Sequence, residues 1–490
     1  MKRALVAGLA LFVALLTLPG VVAGEEADAP SLAADPQVSD AVAAWAAWVE
    51  YQLGINAVPA ASVAVVHDQE LLFVEGFGLA NPEKGVAAAP DTIYSICSNS
   101  KLFTAIAIMQ LRDAGKLRLD DHLADHLEWF AIEDLHPNDE AITIRRILTH
   151  SSGLPRESDY PYWSGPDYLF PTHEQIVERI ADQKTLYPSG RYYQYSNLGL
   201  TLAGEIVAAA SGRSFDDYVR AEILDPLGMS DTFTEIPADH HGGRLAVGYT
   251  ARNRDGSRDP MPLFQARGIA PAAGFASTAE DLALFASWQL RLRGHGGNEV
   301  LRAATLREMQ RVHWMDPDWK TTYGLGFYVK RSGDSTLIEH GGACPGYFSQ
   351  VAIEPKSKLG VIILSNAIGT EVDLYVEQAV ALIGPAVKKA RDDTDGFPER
   401  DPELDRYVGV YDSDWGQEAI VRWEDGLAML SLGTRNPGEG LAKLKKTGEH
   451  SFRRIRKDDE SLGETVVFEV NEHGVVTRFL QHSNWAVKVR

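Results

Sequence analysis

Strand-like sequence brackets a long helical stretch in this chain, and that arrangement narrows the possible folds more than any other feature. Ser62-Val63-Ala64-Val65-Val66 and Leu71-Leu72-Phe73-Val74 are apolar runs split by His67-Asp68-Gln69-Glu70, the pattern of a β-hairpin. Helical and irregular sequence occupies most of residues 98–320. Strand texture returns at 324–329, 349–353 and 360–364, before an apolar-periodic helix over Val372–Val387. Both sets of strands are predicted to complete one sheet, with the helical segment as an insert. An amphipathic helix over Val38–Leu53 precedes the hairpin. The expectation is a two-lobed α/β-plus-helical domain over residues 38–387.

Residues 388–402 are charged and proline-punctuated (Lys388-Lys389-Ala390-Arg391-Asp392-Asp393, then Phe397-Pro398-Glu399) and read as a linker. Beyond it, Tyr407–Tyr411, Ala419–Trp423, Ala428–Leu432, Val466–Val470 and Val475–Phe479 are short strand candidates. Glu424-Asp425-Gly426 and Glu472-His473-Gly474 are turn signals between them. Residues 403–490 are therefore expected to form a small all-β, barrel-like domain. It carries no recognisable catalytic set, which gives it a structural or substrate-gating role.

At the N-terminus, Lys2 and Arg3 precede an apolar run from Ala4 to Leu16, Pro19-Gly20 and the small residues Val22-Ala23-Gly24. This is the pattern of a secretory signal over residues 1–24, followed by a flexible leader over 25–37. Pro19 interrupts the run before it could serve as a membrane anchor, and no Cys follows it for lipid attachment. The expected location is periplasmic or secreted, with no integral membrane segment once the signal is cleaved. The 490 residues carry 68 Asp+Glu against 47 Lys+Arg, a formal net charge of -21. Such a surface repels phosphate backbones and anionic headgroups, which argues against nucleic acid as a partner and leaves a small-molecule or peptide substrate.

Three segments carry chemistry. In Tyr94-Ser95-Ile96-Cys97-Ser98-Asn99-Ser100-Lys101 the apolar run that follows is helical, so Ser98 starts a helix and Lys101 lies on the same face one turn along. A serine hydroxyl is a poor nucleophile until a base takes its proton, and a helix N-terminus favours negative charge developing there. Taken alone, this spacing reads as a helix cap plus a solvated lysine. Tyr195-Ser196-Asn197 precedes a helix over Leu198–Ala210 that ends at Gly212, and places a phenol and an amide where both can point into a cleft. His340-Gly341-Gly342-Ala343 follows a strand-like segment, and its glycines allow a substrate backbone to approach closely.

In this order the three segments resemble the serine β-lactamase and penicillin-binding-protein superfamily, with its S-x-x-K, S-D-N and K-T-G set. The Tyr-x-Asn form is similar to the branch of class C β-lactamases, D-Ala-D-Ala carboxypeptidases and family VIII esterases. Four further segments look like that branch: Gly115-Lys116-Leu117-Arg118-Leu119-Asp120-Asp121, Leu148-Thr149-His150-Ser151-Ser152-Gly153-Leu154, Ala273-Gly274-Phe275-Ala276-Ser277-Thr278 and Tyr323-Gly324-Leu325-Gly326-Phe327. The resemblance covers residues 40–387 and implies an antiparallel sheet flanked by helices. The terminal β-domain resembles the lipocalin-like appendix of some members.

Carried onto this sequence, the resemblance makes Ser98 the acylated nucleophile and Lys101 its base or proton relay. Tyr195 would pass the proton to the leaving group, and Asn197 would orient the acyl amide. The backbone N–H groups of Ser98 and Ala343 would form the oxyanion hole, where each donor is worth about 3–4 kcal/mol of barrier. His340, Gly341 and Gly342 would bind substrate. His150 and His313 read as structural, and the His240-His241 pair has no third ligand at usable spacing, so neither metal nor cofactor is expected. No G-x-S-x-G elbow points to an α/β-hydrolase.

The third motif departs from the lactamase pattern. His340 and Gly341 stand where Lys and Thr usually hold a substrate carboxylate, and a histidine is only partly charged near neutral pH. This favours ester, amide or D-Ala-type peptide substrates; a β-lactamase is the alternative, and a non-catalytic peptide- or cell-wall-binding protein of the same fold is another. The resemblance also sets Cys97 and Cys344, the two cysteines, facing each other across the active-site floor. That resembles the disulfide of some class A carbapenem-hydrolysing lactamases, and export would permit the bridge. Two buried free thiols are the other possibility.

Overall fold

The N-terminal hairpin is completed from the far end of its domain. In the computed structural model, which describes residues 31–392 and 400–490, β1 (Ala60–His67) and β2 (Glu70–Asn81) pair antiparallel. The two-residue β3 (Val86–Ala87) extends this edge. β4 (Trp314–Met315), β5 (Thr322–Tyr323), β6 (Tyr328–Ser332), β7 (Ser335–Cys344), β8 (Tyr347–Glu354) and β9 (Leu359–Ser365) supply the rest. The order is β3-β2-β1-β9-β8-β7-β6-β5-β4, with every pairing antiparallel and Ala61 opposite Ser365 at the seam.

Every residue of β1 is buried, which explains its unbroken apolar run: the sheet is covered on both faces. Ala61, Val63 and Val65 face α1 (Pro36–Ile55) and its neighbours, while Ala60, Ala64 and Val66 face the larger core around the helical insert. That insert holds α2 (Ser100–Asp113), α3 (Asn197–Ser211) and α4 (Ala279–His295). α5 (Val372–Asp392) packs beside α1. The Asp35 carboxylate caps α1 by accepting from Gln37 N at 2.8 Å and Val38 N at 3.2 Å.

The C-terminal domain is a closed eight-stranded barrel of β10 (Gly409–Ser413), β11 (Gly416–Trp423), β12 (Gly426–Ser431), β13 (Ala442–Lys446), β14 (Ser451–Ile455), β15 (Leu462–Val470), β16 (Val476–Gln481) and β17 (Asn484–Lys488). Tyr407, Tyr411, Phe452, Phe468 and Phe479 pack inside it. α1 is shared between the two domains. Trp48 Nε1 donates to Thr434 O at 2.7 Å and Gln52 Nε2 to Leu432 O at 2.8 Å, both on the barrel, whereas Trp45 Nε1 donates to Tyr375 O of α5 at 3.0 Å.

Several expectations are corrected. The strand expected at 324–329 is mostly a turn, with Gly326 at φ +83°, and only Tyr328 and Val329 enter β6. β7 instead runs through the whole His340–Cys344 segment, whose glycines and alanine carry little strand propensity. α5 continues to Asp392, past the expected linker start at 388, because Lys389 and Arg391 sit in its last turn, where cations suit the helix dipole. β13 and β14 went unrecognised beneath their charged outward positions, and β17 because its exposed positions are Asn484, Trp485 and Val487 around a single buried Ala486. Residues 31–35, expected in a flexible leader, are held by Glu70, which accepts from Leu32 N at 3.1 Å and Ala33 N at 2.9 Å. The expected signal at 1–24, leader residues 25–30 and linker residues 393–399 lie outside the described residues. Among the described residues no helix is long and apolar enough to cross a membrane.

Candidate active site

Ser98 lies in a single 3₁₀ turn, Cys97–Asn99, that leads straight into α2. Lys101, one turn along, is fully buried. Its Nζ lies 3.1 Å from Ser98 Oγ, 2.7 Å from Asn197 Oδ1 and 2.7 Å from Ala272 O. Burial holds this amine well below the ordinary lysine range; the Glu157 carboxylate opposes that shift and Arg156 adds to it. A buried amine of this kind can be neutral at working pH and accept a proton.

Tyr195 and Asn197 stand at the start of α3, where the Ser196 hydroxyl caps the helix by accepting from Gly199 N at 2.9 Å. Burial pushes the pKa of the Tyr195 phenol above the ordinary value, with Ser98 opposing that shift, so it stays protonated. His150 brackets this residue. Its carbonyl accepts from Gln194 N at 2.7 Å, its Nδ1 accepts from Ser196 N at 3.0 Å, and its ring lies 4.2 Å from the Tyr195 ring. Burial, with Lys101 next in effect, keeps this imidazole neutral. His313 is remote, with Nε2 2.9 Å from Glu308 O.

The third segment forms the cleft wall. His340, Gly341, Gly342 and Ala343 oppose Val351, Gln350, Ser349 and Phe348 along β7 and β8. Burial, then Lys101, pushes His340 down to about 3, so its ring is uncharged at neutral pH. Its Nδ1 is 2.7 Å from Gly341 O, an acceptor, which leaves Nε2 to accept from the Tyr323 hydroxyl at 3.0 Å. A Cβ on Gly342 would lie 2.2 Å from Ile96 O and 2.3 Å from Ser349 Oγ, so the strand can approach the Cys97–Asn99 turn only as glycine. At Gly341 a Cβ would meet only the movable Gln350 Oε1, at 2.7 Å.

Ser98, Tyr195, His340, Gly341, Gly342 and Ala343 line one cleft of about 630 Å³, with Arg156 and Lys320 also in its wall. Cys97 and Cys344 are bridged, with S–S 1.90 Å and Cα atoms 5.7 Å apart. Asn197, expected to present its amide to substrate, is instead buried below the cleft and engaged at both ends. Its Oδ1 accepts from Lys101, and its Nδ2 donates to Glu157 Oε1 at 2.7 Å. Sequence reasoning missed Glu157: it follows the Gly153-Leu154 segment with no spacing that marks it. A hydroxyl flanked by an amine whose charged form burial disfavours and by a protonated phenol has what acyl transfer needs, a proton acceptor and a proton donor near one oxygen.

The Beta-lactamase family model matches residues 45–384. Among curated proteins, the chain is 26% identical over 405 residues to Beta-lactamase-like protein 2 of Dictyostelium discoideum, covering 78% of this chain and 73% of that one. It is 29% identical over 334 residues to penicillin-binding protein 4 of Amycolatopsis lactamdurans, covering 67% and 85%. Among solved structures, the octameric penicillin-binding protein homologue from Pyrococcus abyssi is similar at a TM-score of 0.62 and 23% identity, covering 91% of this chain and 100% of that one.

Proposed function

The chain belongs to the Beta-lactamase family, and on that premise we propose that it is a serine hydrolase acting through an acyl-enzyme on ester, amide or D-Ala-type peptide substrates. The observation that carries the reading is the buried, charge-disfavoured Lys101 amine 3.1 Å from Ser98 Oγ. Ser98 Oγ attacks the acyl carbon while its proton passes to Lys101, and the backbone N–H groups of Ser98 and Ala343 receive the developing oxyanion. The bond to the leaving group then breaks as a proton reaches that group by way of Tyr195, leaving the acyl group on Ser98. Water cleaves the acyl–Oγ bond in the second half, releasing the acid and restoring the hydroxyl.

The third segment bears on substrate choice. With His340 uncharged and Gly341 lacking a hydroxyl, the position that commonly holds a carboxylate offers neither a permanent cation nor a side-chain donor beside it. This weakens recognition of penicillin and D-Ala carboxylates alike, and favours ester, amide or peptide acyl transfer that does not depend on a carboxylate over efficient β-lactam turnover. The Cys97–Cys344 bridge supports the expected export to the periplasm or beyond.

The test is intact mass after incubation with a fluorophosphonate and, separately, with a penicillin, for the wild type and Ser98→Ala. A fluorophosphonate adduct on the wild type alone is expected, with slow or absent penicillin labelling. Rapid penicillin turnover would establish the β-lactamase reading. Absence of any adduct would favour a binding protein.

A further inference from the structure

Nothing in the shape of the Asn197 amide decides which end is oxygen and which is NH2; only its partners do. On one side is Lys101 Nζ, which as a free amine can either donate or accept. On the other is Glu157 Oε1, 2.7 Å from Nδ2, which as a carboxylate can only accept. Glu157 therefore draws the NH2 to itself and turns the amide oxygen to Lys101. Ala272 O, the other close partner of Nζ at 2.7 Å, is also an acceptor. The two N–H bonds of a free amine are thereby directed to Asn197 and Ala272, and its lone pair faces Ser98 Oγ. With the amide reversed, Nδ2 would compete for that lone pair.

We propose that Glu157 is a positioning residue: by fixing the orientation of the Asn197 amide it directs the Lys101 lone pair onto Ser98. The proposal rests on the roles given to Ser98 and Lys101 above. Glu157 is itself held in place. Its Oε2 accepts from the Tyr162 hydroxyl, Arg156 Nε stands 3.2 Å from Oε1, and Gln183 Nε2 donates to its carbonyl at 3.0 Å. The neighbouring Arg156 carbonyl accepts from Asn197 N at 2.8 Å, which ties this loop to the start of α3.

The groups facing Lys101 give the proposal a signature in pH. Tyr195 stays protonated, and His150 and His340 are neutral. The charges acting on Lys101 are Glu157, which favours the ammonium, and Arg156, which opposes it. Removing the Glu157 charge should therefore make Lys101 easier to deprotonate while disordering its lone pair. The rate of reaction would fall even as its acid limb moves to lower pH, a combination that a merely structural loss would not produce.

The experiment is the rate of fluorophosphonate labelling against pH, read by intact mass, for the wild type, Glu157→Gln, Glu157→Asp, Ser98→Ala and Lys101→Met. Glu157→Gln is expected to lower the plateau by about tenfold or more, within the range of general-base effects, with the acid limb displaced to lower pH. Glu157→Asp, which keeps the charge on a shorter arm, should lower the plateau and leave the limb in place. A folded Glu157→Gln with the wild-type plateau and limb overturns the proposal. Should that variant not fold, a wild-type plateau in Glu157→Asp overturns it equally. Undiminished labelling in Ser98→Ala or Lys101→Met would instead defeat the functional reading beneath it.

Discussion

Cys97 and Cys344 are joined across 247 residues of sequence, the first immediately before Ser98 and the second immediately after Ala343. The bridge thus clamps together the two segments whose backbone N–H groups are assigned to the oxyanion hole. The paired Cys97→Ser and Cys344→Ser variant should lose about 2–4 kcal/mol of stability and label more slowly with a fluorophosphonate. Urea denaturation and the labelling rate check both parts. A variant with lowered stability and an unchanged rate would make the bridge purely a stabilising one.

Adjacent glycines in β7 should respond differently to the same methyl group. Gly342→Ala forces its Cβ against the Ile96 carbonyl and Ser349 Oγ and should reduce labelling by at least tenfold, in keeping with the loss of a single oxyanion-hole donor. Gly341→Ala displaces only the end of Gln350 and should be nearly silent. The combination His340→Lys with Gly341→Thr should raise the rate of penicillin labelling relative to wild type, measured by intact mass over time.

His340 should also shape acid stability. Its folded pKa is depressed to about 3, mainly by burial, so below the ordinary histidine value the unfolded chain binds a proton that the folded chain does not. Its contribution is complete above about pH 6.5 and is lost as the pH falls towards 3. His340→Gln has no such proton. Urea denaturation at pH 7, 5 and 4 should show the wild type losing stability more steeply than the variant as the pH falls.

Trp48 links the two domains through its packing and its hydrogen bond to Thr434 O. Trp48→Ala should cost about 3–5 kcal/mol, whereas Trp48→Phe, which keeps a ring and loses the donor, should cost nearer 1 kcal/mol. Differential scanning calorimetry should show the alanine variant lowering the melting of the barrel together with that of the larger domain. Two transitions, with the barrel's unmoved, would mean that α1 does not couple them.

What the sequence disclosed about this site was local. Ser98 and Lys101 meet because residues three apart share a helix face, and Tyr195 and Asn197 announce themselves at the N-terminus of α3. Glu157 lies 40 residues from the amide it orients, and no periodicity records a contact made through space. The same limit hid the burial of Asn197, whose place below the cleft follows from Lys101 and Glu157 occupying its two ends. In the fold, the β1–β2 hairpin was readable from two apolar runs and the polar turn between them, whereas β7 is made a strand by the ladder on either side of it. Its His-Gly-Gly segment has little preference of its own.

The sharing of α1 has a consequence in time. The carbonyl that receives the Trp48 indole belongs to a residue made 386 positions after the tryptophan. At ordinary rates of synthesis that interval lasts roughly 20–80 s. Through it, the Trp48 face of α1 lacks its partner on the barrel. The first helix of the described residues is among the last to be completed, and the barrel, though distant in sequence from Ser98 and Lys101, decides when the N-terminal part of the larger domain is settled.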